Sequence, residues 1–288
     1  MADDVRTGSA FQSPWAEVVK HGLIVLALCS AFFPLYMMLN ISAKTNKEFY
    51  AHPWYPSQDP ATLASTAWDN YTEGWDLVGA SIPNTIFLAV MSTGVTLVAA
   101  LLCAYVFARF AFPGKTLLWS ALLLLMLMPG VANLVPLFIL LREMRLLDTY
   151  TALIITGAAG GQVFNVFILK NYIEDTAEDL FEAAEVDGAG PLRQIWDVVI
   201  PMNGSILATL ACLAFVGNWN NFLLPLLLLT DPDRLPTAVQ LFYLDGAYVR
   251  QWGPTMAAYG LTAVPLIVLF IFTMRFFIRG VGAGSVKG

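Results

Sequence analysis

The sequence predicts an all-α integral membrane protein of about six transmembrane helices, and three observations carry that prediction. Hydrophobic residues make up 58% of the 288 and charged residues 12%, with a mean hydropathy of +0.66, a balance too apolar for a soluble domain of this length. Charges bracket long charge-free intervals, from Lys20 to Lys44, Asp76 to Arg109, Lys115 to Arg142, Asp148 to Lys170, Asp197 to Asp231 and Arg250 to Arg275. Each exceeds the roughly 20 residues a helix needs to cross a bilayer. Period-2 alternation is absent, so the continuous apolar runs exclude a membrane β-barrel.

The spans then fall at 21–41, 84–108, 116–140, 150–170, 203–229 and 255–278. Residues 1–20, with Asp3, Asp4 and Arg6, form a short polar segment, and the apolar run after it is longer than a signal-peptide core, so it reads as a retained first span. Residues 42–83 are an external loop broken by Pro53, Pro56 and Pro60. Trp54, Tyr55, Trp68, Tyr71 and Trp75 serve there either as interface anchors or as a protein contact. Residues 84–279 are the core, and 280–288 a glycine-rich tail.

Within that core, Phe112-Pro113-Gly114-Lys115-Thr116 imitates a phosphate-binding loop, but the earlier glycine such a loop needs is replaced by Arg109. Pro129-Gly130 and Pro136 interrupt the third span. Gly157, Gly160 and Gly161 permit close helix approach in the fourth, where Gln162 and Asn165 should face other helices or a cavity. Cys29, Cys103 and Cys212 lie in spans with no disulfide or metal spacing, and His21 and His52 are too few and too far from any acid–nucleophile pairing to support catalysis, so they read as solvated or interfacial. No catalytic residue and no metal site is expected.

Two stretches carry function. Residues 177–201 are soluble-looking inside a membrane-like chain. Asp179 to Val186 favours helix, Asp187-Gly188 ends it, and Pro191 suits the first turn of a second helix. In that second helix Leu192, Ile195, Trp196 and Val199 form an apolar stripe, with Arg193, Gln194 and Asp197 opposite. Glu182, Ala183, Ala184, Glu185, Asp187, Gly188 and Ala189 offer small and acidic groups for a partner to approach; a plain interfacial hairpin is the alternative. The second stretch, Asn218-Trp219-Asn220-Asn221, puts three amides and an indole inside an apolar helix, as a lining for a hydroxyl-rich solute or as glue between helices.

Glu182-Ala183-Ala184, Gly188 and Pro201 stand at the spacing of the EAA loop of ABC importer permeases, with Val198 and Ile200 where that family prefers Ile and Leu. Ala104 to Phe110, Leu146-Leu147-Asp148-Thr149, Trp219-Asn220 and the Val286-Lys287-Gly288 terminus also resemble the malG-like carbohydrate branch. The resemblance implies the type I importer fold, with a cytoplasmic coupling loop in the cleft of an ATPase dimer. It also implies a second, malF-like permease, an extracytoplasmic solute-binding protein and a carbohydrate substrate. ATP and magnesium would sit on the ATPase chains, and this chain would bind no cofactor. Leu244, Asp245, Gly246, Ala247 and Tyr248 would form the tip of an external loop, 231–253, that reaches the binding protein.

With both termini and the hairpin on one side, nine of the 15 Lys and Arg residues collect there against six, a bias toward the cytoplasm of a bacterial inner membrane. The net charge of −6 gives no argument for nucleic acid, and lipid is the expected surround. The other class considered is an ion-coupled secondary transporter. Such proteins commonly carry ionisable residues deep within their spans, and none occurs in these away from the ends, where His21, Lys170 and Arg275 fall.

Overall fold

The computed structural model describes residues 14–57, 60–128, 130–246 and 251–284. Every regular element among them is helical. Two compact units are described in turn: residues 1–75 with 249–261, and residues 76–248 with 262–288.

In the first unit, α1 (Pro14–Ser42) leads to α2 (Asn46–Ala51) and α3 (Pro60–Val78), and the start of α14 (Trp252–Gly284) joins them. The stretch read as a proline-broken loop is largely helical. Pro60 takes the first helical position of α3, where its missing N–H is harmless, and no proline follows before Val78. Polar contacts hold this unit together. Lys44 is 1% exposed, and its Nζ donates to the carbonyls of His52 (2.7 Å), Pro53 (3.3 Å) and Tyr55. Burial pushes its pKa down, with Glu48 opposing. Asn70 Nδ2 donates to the carbonyls of Ser42 and Lys44, both at 2.9 Å. Trp252 stacks on Phe49 at 4.7 Å, and its backbone N–H donates to Asn46 Oδ1. Trp54, Tyr55, Trp68 and Trp75 stay exposed.

The second unit is built on α4 (Ser81–Arg109) and α7 (Tyr150–Glu174), which run side by side in the same direction. Leu88 is level with Leu153, and Ala104 and Tyr105 with Leu169. Two parallel spans require the chain between them to return across the same thickness. α5 (Lys115–Leu125), a 3₁₀ turn (Gly130–Asn133) and α6 (Leu134–Glu143) make that return in two pieces. The span expected at 116–140, with interruptions at Pro129-Gly130 and Pro136, is thus two helices with a 3₁₀ turn between them. Pro136 has no N–H for the carbonyl four residues back, so it is tolerated only in the first turn of α6.

After α7, a hairpin leads to α11 (Gly204–Trp219) and α12 (Leu223–Leu228), which run opposite to α4 and α7. The expected span 203–229 is thus broken as well, at residues 220–222. Pro225 cannot donate to the carbonyl of Asn221, which ends the ladder there. Among the described residues four helices are long and apolar enough to cross a bilayer alone, namely Trp15–Ser42, Ser81–Arg109, Tyr150–Glu174 and Trp252–Met274. The region read as an external loop, 231–253, contains a 3₁₀ turn (Pro232–Arg234) and α13 (Thr237–Asp245). The buried Thr237, Val239 and Leu241 of α13 give it a packed face that a protruding turn would lack.

Candidate coupling hairpin and transmembrane cleft

The hairpin begins with α8 (Glu178–Val186). Its end is a Schellman motif: Ala189 N donates to Ala184 O at 2.8 Å and Gly188 N to Glu185 O at 2.9 Å, with Gly188 at φ +77°. Gly190 then caps α9 (Pro191–Gln194), followed by one π-helical stretch, Ile195–Val199, and α10 (Ile200–Met202). This second arm meets α11 at an 87° bend. The corner residue Asn203 is buried, and its Nδ2 donates to Val199 O (3.0 Å) and Thr176 Oγ1 (3.4 Å).

Phe181, fully buried, anchors the hairpin to a core that includes Tyr105, Leu169, Val199 and Leu210. The Arg109 guanidinium lies 4.0 Å over the Phe181 ring and holds both oxygens of Glu178, Nη2 to Oε1 at 2.7 Å. Those bonds keep the Glu178 carboxyl below the usual carboxylate range. Tyr105 Oη donates to Gln194 Oε1 at 2.6 Å, and Gln194 Nε2 donates to Glu185 Oε1 at 3.3 Å. Arg109, Glu178, Phe181 and Gln194 hold the hairpin, yet sequence reasoning gave them no role there. The available signal was an arginine ending a span, 69 residues before a glutamate that opens the next polar helix.

Of the expected docking residues, Glu182, Ala183, Glu185, Asp187 and Gly188 are exposed, whereas Ala184 and Ala189 are half-buried. Ala184 packs inward, so only one of the two alanines faces outward. The predicted stripe of the second arm is corrected. Ile195, Val198 and Val199 are buried, as is Gln194, while Leu192 and Trp196 are 67% and 70% exposed. The π-helical stretch shifts the phase on which the stripe depended.

The second site lies further along α4, α7 and α11. A cleft of about 270 Å³ is lined by Thr96, Gly157, Gly161, Phe164, Asn165, Leu213, Ala214, Gly217 and Asn218. Asn218 Nδ2 faces Thr93 Oγ1 at 3.4 Å, and Asn218 also borders a small pocket with Asn221 and Pro225. Asn220 is exposed and donates to Val216 O at 2.9 Å. Trp219 is buried and stacked on Phe215 at 5.8 Å, so its face is not offered to a solute. Of the four predicted pathway residues the structure brings Asn218 and Asn221 to cavities. It adds Thr96 and Phe164, which the sequence did not single out. The signal for Thr96 was the spacing of Thr85, Ser92 and Thr96, a buried polar line down one face of α4.

Leu244 and Asp245 close α13 and Gly246 caps it; Ala247 and Tyr248 lie outside the described residues. Near α13, the Asp148 turn is tied to the chain after α12. Asp148 Oδ1 accepts from Thr230 N (2.9 Å) and Asp231 N (3.2 Å), Asp148 N donates to Leu228 O, and Arg234 Nη1 donates to Asp148 O. The two backbone donors hold its carboxyl below the usual range, and its φ is +58°.

Residues 96–283, which contain both the hairpin and the cleft, match the model of the binding-protein-dependent transport system inner membrane component family. The chain belongs to this family. It is a membrane permease subunit and not an enzyme. The diacetylchitobiose uptake system permease protein NgcG of Streptomyces coelicolor is 29% identical over 273 residues, covering 93% of this chain and 88% of that protein. A probable ABC transporter permease protein of Pyrococcus horikoshii is 35% identical over 211 residues, covering 73% and 76%. The sn-glycerol-3-phosphate permease UgpE of Pectobacterium atrosepticum is 27% identical, covering 92% and 95%. A crystal structure of a bacterial ABC transporter that imports alginate contains a chain with the same fold, with a TM-score of 0.81 at 20% identity, covering 94% of this chain and 99% of that one.

Proposed function

We propose that this permease subunit works in an ATP-driven, binding-protein-dependent carbohydrate importer, with the 177–201 hairpin as the contact for a cytoplasmic ATPase. The observation that carries the reading is the hairpin's build. Glu182, Ala183, Asp187 and Gly188 are exposed on a glycine-closed turn, while Phe181, Val199 and the Arg109–Glu178 pair fix that turn to the ends of the spans. A surface of small and acidic groups on a rigid base can take up a push and pass it on. The polar cleft supplies a candidate path for solute. The family description and the diacetylchitobiose relative agree with a sugar delivered by a binding protein. Family membership does not favour an ion-coupled carrier.

In this reading a second permease subunit completes the pathway, and two ATPase subunits hold ATP and magnesium. Their closure tips the hairpin, and the spans alternate access. The hairpin and both termini face the cytoplasm of the bacterial inner membrane. Leu244 to Tyr248 face the binding protein on the other side.

The test uses proteoliposomes carrying the complex that copurifies with this chain. Solute-loaded binding protein should stimulate ATP hydrolysis and uptake in the wild type. Glu182→Lys and Gly188→Pro should abolish copurification of the ATPase or the stimulated activity. If both variants copurify with an ATPase and support wild-type uptake, the docking assignment is wrong.

A further inference from the structure

We infer that the cleft between α4, α7 and α11 receives one uncharged, hydroxyl-bearing ring of the transported solute, and that Gly157 keeps it open. The inference rests on the carbohydrate-import reading and extends it to a substrate class and to residues beyond the amides of α11. Size is the first observation. About 270 Å³ lies just below the range of pockets that hold drug-sized ligands, which leaves room for a single ring rather than a chain segment.

Chemistry is the second. The polar groups on the lining are the hydroxyl of Thr96 and the amides of Asn165 and Asn218, none of them charged. Thr96 Oγ1 already donates to Ser92 O (2.7 Å), Asn165 Nδ2 to Gly161 O (2.6 Å) and Asn218 Nδ2 to Thr93 Oγ1 (3.4 Å), which leaves their oxygens as acceptors and the second amide hydrogens as donors for a solute hydroxyl. Phe164, 46% exposed, adds an aromatic face of the kind that packs on the C–H side of a sugar ring, the part Trp219 cannot play while stacked on Phe215. A carboxylate or phosphate entering here would lose water with no opposite charge on the lining to replace it. Lys170, one and a half turns beyond Asn165, is already paired with Glu174 and lies 4.8 Å over Trp119.

Steric fit is the third. A Cβ on Gly157 would come within 2.8 Å of Asn218 Oδ1 and 3.3 Å of Ser92, so any larger residue displaces the Asn218 amide. Gly160, one turn along the same helix, meets nothing within 4 Å and provides a matched control.

The test uses the purified complex in nanodiscs, where both membrane faces are open to reagent, with Cys29, Cys103 and Cys212 replaced by serine and Leu213→Cys as the reporter on the cleft wall. Labelling by a small uncharged methanethiosulfonate is timed alone and with chitotriose, cellotriose, maltotriose, trigalacturonate or glycerol 3-phosphate. One of the neutral trisaccharides, at about ten times its Kd, should slow labelling about tenfold by occupying the site, and the two anions should not. Gly157→Ala should remove the protection and Gly160→Ala should retain it. If Leu213→Cys fails to assemble, Ala214→Cys takes its place. Protection by trigalacturonate or glycerol 3-phosphate, or undiminished protection in Gly157→Ala, would overturn the inference. If a neutral glycan presented on the binding protein stimulates ATP hydrolysis but protects neither reporter, the cleft assignment falls and the import reading stands. If no glycan stimulates hydrolysis, both fall.

Discussion

The second unit contains two apolar blocks, and they differ in how the chain passes between them. One gathers Phe181, Tyr105, Leu169, Val199 and Leu210 around the hairpin; the other gathers Leu88, Leu141, Leu153, Leu228 and Val239 at the far ends of the same helices. α4 and α7 run through both without interruption. The third connection is interrupted, because α11 belongs to the hairpin block and α12 to the other, with residues 220–222 between them. The polar cleft lies between the blocks, bordered by α11 just before that break. Continuous helices fix the spacing of the blocks, and a discontinuous one lets part of the wall move without unpacking either.

The largest effect should come from removing the anchor of the hairpin block. Phe181→Ala takes a fully buried ring out of its core and should destabilise the subunit by about 3 kcal/mol, read as a lowered thermal midpoint of the detergent-purified protein. An unchanged midpoint would mean that the hairpin does not pack on the spans. Gly188→Ala comes next. Forcing an L side chain to φ +77° should cost about 1 kcal/mol, by the same measurement, with no change at the cleft.

On the other block, Asp148→Ala removes the acceptor for Thr230 and Asp231. Amide exchange at residues 228–235 should speed up while residues 166–173 keep their protection. Asp148→Asn retains one acceptor oxygen and tolerance of positive φ, so it should do less. Equal acceleration in both regions would show that the blocks are not independent. The smallest effect concerns Glu178. Its carboxyl is held below the ordinary range, so the stabilisation it brings is fully present above an unfolded pKa of about 4.3 and is lost as the pH falls through the lower folded value. The difference in thermal midpoint between wild type and Glu178→Gln should therefore shrink as the pH drops from 7 toward 3. A constant difference would remove the ion pair as its source.

The sequence revealed the parts of this structure that depend on composition and on local turn chemistry. Charge-free intervals located α1, α4, α7 and α14 because a membrane span excludes charge along its length. Asp187-Gly188 located the hairpin turn because few residues besides glycine accept that φ. What stayed hidden depends on packing between distant segments. The break at 220–222 turns on one missing donor, that of Pro225, in a run that is apolar on both sides. The helix α3 hid behind prolines that all precede or begin it. The buried face of the second arm was misassigned because a regular helical period cannot register the π-helical stretch at Ile195–Val199. At the cleft, Asn218 was legible as an amide out of place in an apolar helix. Trp219 was not, because whether an indole faces a solute or a neighbouring ring leaves no mark on its own position in the sequence.

The right angle at Asn203 makes the hairpin and α11 a bell-crank. The arm from Pro191 to Met202 is 12 residues and α11 is 16, lengths of about 18 and 24 Å at the helical rise of about 1.5 Å per residue. The pivot is stiff, since Asn203 is buried and bonded to both Val199 and Thr176. For any rigid lever, displacement scales with arm length. Were the two to turn as one rigid body about Asn203, a displacement of Pro191 along the axis of α11 would reappear near Asn218 as a sideways displacement about 1.3 times as large, turned through a right angle from thrust into shear.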